Sequence, residues 1–117
     1  WQKGYQQLRR AEELDKAITD VGKNYGLTYL YLLWGQYDKG LKQIQLIPIP
    51  GFFWYHTYLG TLYHKLGQKD EAAKQFENIR KTFNTDSMAF VERQFDLWNN
   101  TESLTIFRPV FIAYGFH

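Results

Sequence analysis

Cysteine is absent from the chain, which excludes disulfide bridges and thiolate metal sites. That absence fits the cytoplasm and also admits the periplasm, should a membrane segment lie upstream. No stretch reaches the roughly 18 apolar residues that mark a membrane-spanning helix. Neither sign of charge dominates. The formal net charge is +2, the basic residues are dispersed, and Arg9 with Arg10 is too small a footprint for a nucleic acid. Proline is scarce at three residues, two of which, Pro48 and Pro50, fall together. Each disfavours helix at the residue before it, so 48–51 is read as an extended connection.

Aromatic surface is what the chain has in quantity. Nine Tyr, nine Phe and four Trp make up 19% of the 117 residues, far above ordinary usage, whereas the apolar total of 44% is typical. Rings bury large areas, so a few helices suffice for a core. Tyrosines on the rim of that core serve equally well in a contact surface. The length fits one domain and is short for an enzyme with a separate substrate lobe.

One turn echoes along the sequence. Gly35-Gln36-Tyr37-Asp38-Lys39-Gly40-Leu41 recurs 32 residues later as Gly67-Gln68-Lys69-Asp70-Glu71-Ala72-Ala73. Trp1-Gln2-Lys3-Gly4-Tyr5 resembles Tyr37-Asp38-Lys39-Gly40-Leu41, 36 residues ahead of it. These intervals bracket the period of about 34 found in helix–turn–helix solenoids. The flanks have helical periodicity. Leu27, Leu30, Tyr31 and Trp34 precede one turn, and Leu59, Leu62, Tyr63 and Leu66 precede the next. Ala72, Ala73, Phe76, Ile79 and Phe83 form a stripe after it, with Lys74, Glu77 and Arg80 turned outward. Such a stripe must stack on a neighbour. Gly35 and Gly67 are expected to end their helices in the left-handed conformation. Gly60 is expected to face Ala72 closely enough for Tyr63 and Phe76 to interlock.

Helices are therefore expected over 2–20, 23–34, 37–47, 53–66 and 69–83. Gly22 marks a break, although the stripe Leu8, Ala11, Leu14, Ile18, Val21 also allows one continuous helix. Asp86 or Ser87 caps a helix reaching Trp98. Thr101 with Ser103 opens a last one to Tyr114, in which Pro109 implies a kink or a second start. The segment 86–117 is expected to cap the preceding pair with Phe90, Phe95, Trp98, Phe107 and Phe111. The whole reads as one all-α domain of antiparallel helix pairs stacked as a short right-handed α-solenoid. Residues 1–20 are the second helix of a truncated repeat, and 23–47 and 53–83 are the following repeats.

Leu59-Gly60, Tyr63, Gly67, Ala72 and Phe76 fall at the spacing of the tetratricopeptide (TPR) repeat family, which the chain resembles. His56 stands where that pattern has Trp, and Asn84 where it has Pro. The preceding repeat keeps Leu27, Thr28, Tyr31 and Gly35 but has Gly40 in the usual Ala position. Gln45-Leu46-Ile47-Pro48-Ile49-Pro50-Gly51-Phe52-Phe53-Trp54, followed by Leu66-Gly67-Gln68-Lys69-Asp70-Glu71-Ala72, resembles the C-terminal TPR region of bacterial signalling proteins headed by a nucleotide cyclase or a winged-helix transcription regulator. Ala113-Tyr114-Gly115-Phe116 resembles the end of such regions. The Asn-Pro and Pro-Gly-Trp elements expected between repeats are missing at 15–24.

The resemblance implies a regulatory or sensory arm of a larger protein, of which this chain is a piece. It also implies a concave groove lined by Tyr25, Tyr29, Leu32 and Leu33 from one helix and by Trp54, Thr57, Thr61, His64 and Lys65 from the next. A protein or peptide partner is expected there. Thr57 and Thr61 occupy the places where carboxylate-gripping relatives carry Lys and Asn, which argues against that specialised activity. The alternatives are homo-oligomerisation through an open N-terminal end and, with less support, a small-ligand sensor near Trp34 and Trp54. No enzymatic role, cofactor or metal is expected. His56 and His64 lack the i, i+4 spacing of helical metal ligands. Asp70 and Glu71 fit a helix N-terminus, where acidic groups stabilise the dipole. Glu12 and Glu13 fit a polar face. No nucleophile–His–acid set or phosphate-binding glycine loop is present.

Overall fold

The computed structural model describes residues 2–117; the side chains of 2–12, 14, 15, 17 and 18 lie outside that description, as does Trp1. Every regular element among the described residues is helical. In chain order they are α1 (Gln2–Leu33), α2 (Tyr37–Ile44), α3 (Phe53–Lys65), α4 (Lys69–Phe83), α5 (Met88–Leu97), a 3-10 turn (Thr101–Ser103) and α6 (Leu104–Ala113). The chain divides into two units, Trp1–Ile47 and Pro48–His117, at the proline-containing connection.

In the first unit α1 runs through Gly22 without the expected break. A helical glycine costs about 1 kcal/mol relative to alanine, and with no proline nearby the unbroken hydrogen-bond ladder wins. The helix stops where Gly35 takes φ +73°. Gly35 N donates to Leu32 O (3.3 Å) and Gln36 N to Tyr31 O (2.9 Å), the paired bonds of a Schellman motif. α2 then returns and ends at Ile44, short of the expected 47, because Pro48 disfavours helix at Ile47.

The buried face of this hairpin corrects the expected stripe. Leu30 and Trp34 are exposed, and among the described side chains of α1 the buried ones are Asn24, Thr28 and Leu32 at i, i+4 and i+8. Two polar residues can lie there because their groups find partners. Thr28 Oγ1 donates to Asn24 O (2.8 Å), and Gln43 Nε2 donates to Asn24 Oδ1 (2.7 Å).

The second unit is built on α3, in which every residue of 53–62 is buried. Its end repeats the Schellman pair: Gly67 at φ +79° donates to His64 O (3.1 Å) and Gln68 N to Tyr63 O (2.9 Å). α4 folds back antiparallel, so residues equidistant from the turn meet. The closest approach is at Gly60, where an added Cβ would lie 2.7 Å from Cε2 and 2.9 Å from Cζ of Phe76. The Phe76 ring occupies the space expected for Ala72. Phe76 in turn stacks on Tyr114 (4.9 Å, 15°) and meets Phe111 edge-on at 5.0 Å.

The C-terminal segment packs against α3 and α4. Ser87, not Asp86, caps α5 by accepting from Ala89 N at 3.2 Å. Phe53 gathers Phe83, Phe90, Phe95 and Phe111 at centroid distances of 5.9–6.4 Å. Phe95, Phe107 and Phe111 are fully buried, whereas Trp98 stays mostly exposed. α6 continues through Pro109, and the change of helix type falls earlier, at Ser103. Proline deprives only the Thr105 carbonyl of a partner, and Thr105 and Pro109 are both exposed, so water can serve it. Arg80, expected to point outward, reaches the cap instead. Its Nη1 donates to Tyr114 O at 2.6 Å and its guanidinium lies 5.3 Å from the Phe116 ring centroid. Two backbone bonds fasten the last residue: His117 N to Asp86 O (3.0 Å) and Met88 N to His117 O (2.8 Å).

Gly60→Ala drives a methyl into the Phe76 ring and is expected to cost about 1–3 kcal/mol. Gly22→Ala, where nothing lies within 4 Å of the new atom, is expected to stabilise by up to about 1 kcal/mol. Urea midpoints of the two variants measure both effects. A Gly60→Ala midpoint at or above that of the parent chain contradicts the close seating.

Candidate interaction surface

α3 carries five of the nine residues that the resemblance assigns to a groove. Trp54, Thr57 and Thr61 recur at helical spacing along one face, and all three are buried. Trp54, only 4% exposed, is walled by Phe53 (5.1 Å), Phe95 (4.7 Å) and Trp98 (6.3 Å). These are neighbours from its own unit, two of them from the α5 region. Thr57 turns its hydroxyl back to Phe53 O at 2.8 Å. The Trp54 indole nitrogen and the Thr61 hydroxyl are buried without a hydrogen-bond partner among the described residues. His64 is half-buried and meets Tyr114, its Nδ1 lying 2.9 Å from the phenol oxygen. Lys65 is exposed.

The other four lie in the first unit on α1. Leu32 is buried, Tyr25 and Tyr29 are half-buried, and Leu33 is 51% exposed. Leu33 lies at the end of α1 beside Leu30 and Trp34, both expected in the core stripe and both exposed. Trp34 is 61% exposed and packs edge-on against Tyr31 at 6.3 Å. Helical periodicity could not reveal this exposure, because an apolar stripe does not say how long its partner helix is. In the second unit Leu97, Trp98 and Ile112 are the large apolar side chains left in solvent.

His56 links three segments of the second unit. Its Nε2 accepts from Gly51 N (2.9 Å), so Nδ1 carries the proton and donates to Gln75 Oε1 (2.8 Å). The imidazole thus ties α3 to α4 and to the connection before α3. Asn24 and Gln43 make the corresponding tie between α1 and α2, and the two pairs are offset by the same 32 residues as the glycine turns.

The electrostatics are mild. Burial pushes the His64 pKa below its ordinary value, and Lys65 and Lys69 add to the effect. Burial raises that of Tyr114, its partner. A neutral imidazole whose Nδ1 accepts the Tyr114 hydroxyl fits this setting. Among the described residues no three His, Asp, Glu or Cys side chains converge as a metal site. None of the described helices is long and apolar enough to cross a membrane. No protein-family model matches the chain, and neither a curated protein nor a solved structure matches it.

Because the folded-state pKa of His64 lies below its unfolded value, folding excludes a proton there. The contribution is complete above about pH 6.5, the unfolded value, and is lost as pH falls toward the folded one. Urea midpoints at pH 7.5 and pH 5.5 should therefore converge in His64→Gln relative to the parent. An equal drop in both proteins removes His64 as the cause.

Proposed function

We propose that this chain is a non-enzymatic protein–protein interaction module. Its helix pairs stack as a short TPR-like solenoid, and it serves as a regulatory or sensory arm of a larger bacterial signalling protein with a cyclase or transcription-regulator head. The observation that carries this reading is the repetition of a complete hairpin at an interval of 32 residues. Both copies use a glycine Schellman stop, a buried small residue at Gly40 or Ala72, and one polar tie between helices. Repetition of a unit that holds no reactive cluster suits an extended scaffold better than a catalytic site. The scaffold contacts other chains through its exposed side chains.

Burial selects which groove residues a partner can reach without rearrangement. Trp54, Thr57 and Thr61 support the hairpin from inside, and the side chains available for contact are Leu33 and Lys65, with Tyr25 and Tyr29 partly so. Exposed apolar and aromatic groups of this kind are the usual anchors of a contact surface. The mechanism is docking of an extended segment or helix, which the attached effector senses as a change in its own environment.

Photo-crosslinkers placed at Leu33 and at Lys65 should each label the same partner in extracts of the source cells, and unlabelled parent protein should compete. A crosslinker at Lys81, exposed on α4, should not label it. Leu33→Glu with Lys65→Glu should reduce capture by about tenfold or more, as loss of hot-spot contacts does, while helical circular dichroism is unchanged. Equal labelling from all three positions rules the groove out.

A further inference from the structure

Trp54 is enclosed by three rings that are not equally held. Phe53 and Phe95, at 5.1 Å and 4.7 Å, are themselves buried. The third, Trp98, stands edge-on at 6.3 Å and is 59% exposed. It also meets the half-buried Phe52 edge-on at 6.0 Å. Inside this enclosure the Trp54 indole nitrogen has no acceptor among the described residues. An indole N–H usually finds a partner when buried, because an unpaired donor forfeits its bond to water. The rings around it cannot serve, since phenyl has no polar atom and indole is a donor only.

The backbone beneath Trp98 is fixed. Trp98 follows directly on α5, and its amide donates to Gln94 O at 3.2 Å. The chain then turns through Asn99 at φ +52°, with Asn99 N on Asp96 O (3.0 Å) and Asn100 N on Phe95 O (2.8 Å). The indole of Trp98 can therefore swing outward by rotation of its own side chain while α5 stays as it is. Exposed side chains make such rotations within nanoseconds. Behind it lies a slot with apolar walls, Phe53 and Phe95, and one donor, the Trp54 N–H. An occupant must be apolar and must bring an acceptor. A carboxylate or phosphate would lose its water among these rings with no counter-charge in return. A backbone carbonyl between apolar side chains meets both conditions.

We infer that Trp98 is a lid over Trp54, and that the slot beneath it takes an apolar peptide segment whose backbone carbonyl accepts from Trp54 Nε1. The inference deepens the interaction reading and rests on it, since Trp54 is one of the residues that the resemblance assigns to the groove. The lid keeps the slot filled in the free protein and lowers apparent affinity by the fraction of time it is shut.

The indole N–H signals of the nitrogen-15-labelled full chain test it, with N-acetyl-leucine N-methylamide as the probe. Loss of a signal in Trp54→Phe identifies the one from Trp54. Adding the probe should shift the Trp54 and Trp98 signals together and saturably. Trp98→Ala removes the lid and should tighten binding by about threefold or more. Trp54→Phe keeps a ring without the donor and should weaken binding, followed at Trp98, by about tenfold. Equal or weaker binding in Trp98→Ala makes Trp98 part of the wall and overturns the lid. No shift at Trp54 overturns the slot, as does a Trp54→Phe chain that binds like the parent. Should Trp98→Ala unfold, Trp98→Leu decides by the same sign. The probe needs no cellular partner, so this test can fail while the crosslinks at Leu33 and Lys65 succeed, or succeed while they fail.

Discussion

Contact between the Phe76 ring and the bare backbone of Gly60 is the constraint on which the second unit depends. At this point the Phe76 ring of α4 lies directly against the backbone of α3, with no Cβ on the α3 side. The ring held there becomes a floor on which Tyr114 and Phe111 come to rest. One missing Cβ therefore sets the separation of two helices and, through the ring, the seat of the C-terminal cap. Dispersion falls off steeply with distance, so a ring displaced by a fraction of an ångström loses contact on both of its faces.

Much of this was legible in the sequence because local chemistry fixed it. The stops at Gly35 and Gly67 follow from the left-handed backbone that a Schellman motif requires. The Ser87 cap follows from the need of α5 for an acceptor at its first amides, and the stripe Ala72, Phe76, Ile79 from simple periodicity. What the sequence could not show depended on partners distant along the chain. Asn24 and Thr28 look like surface residues until Gln43 and the Asn24 carbonyl are seen to satisfy them. Arg80 looks like an outward charge until the Tyr114 carbonyl and the Phe116 ring come within reach. Gly22 looks like a boundary, yet nothing on either side of it favours a turn strongly enough to end the helix.

For the residues assigned to a groove, only their place on a helix was legible. The resemblance located them on α3 and α1, but spacing could not distinguish a side chain facing a partner from one facing the protein's own cap. Trp54 illustrates the difference, since Phe95 and Trp98 belong to the segment that follows α4 and close over it. The same register that would present an indole to a visiting peptide also presents it to the chain's own end. Exposure shifts the emphasis toward Leu33 and its neighbours at the last turn of α1, where apolar side chains remain in water.

The recurring hairpin has a bearing on how such a chain arises. Each copy contains its own glycine stop signal, its own cross-helix tie and a buried small residue at Gly40 or Ala72. A DNA segment encoding one such unit can be copied in tandem and yield a product whose new piece already knows where to end. Asn24 with Gln43 and His56 with Gln75 place one side-chain hydrogen bond at the same two positions of each hairpin, made by different residues in each.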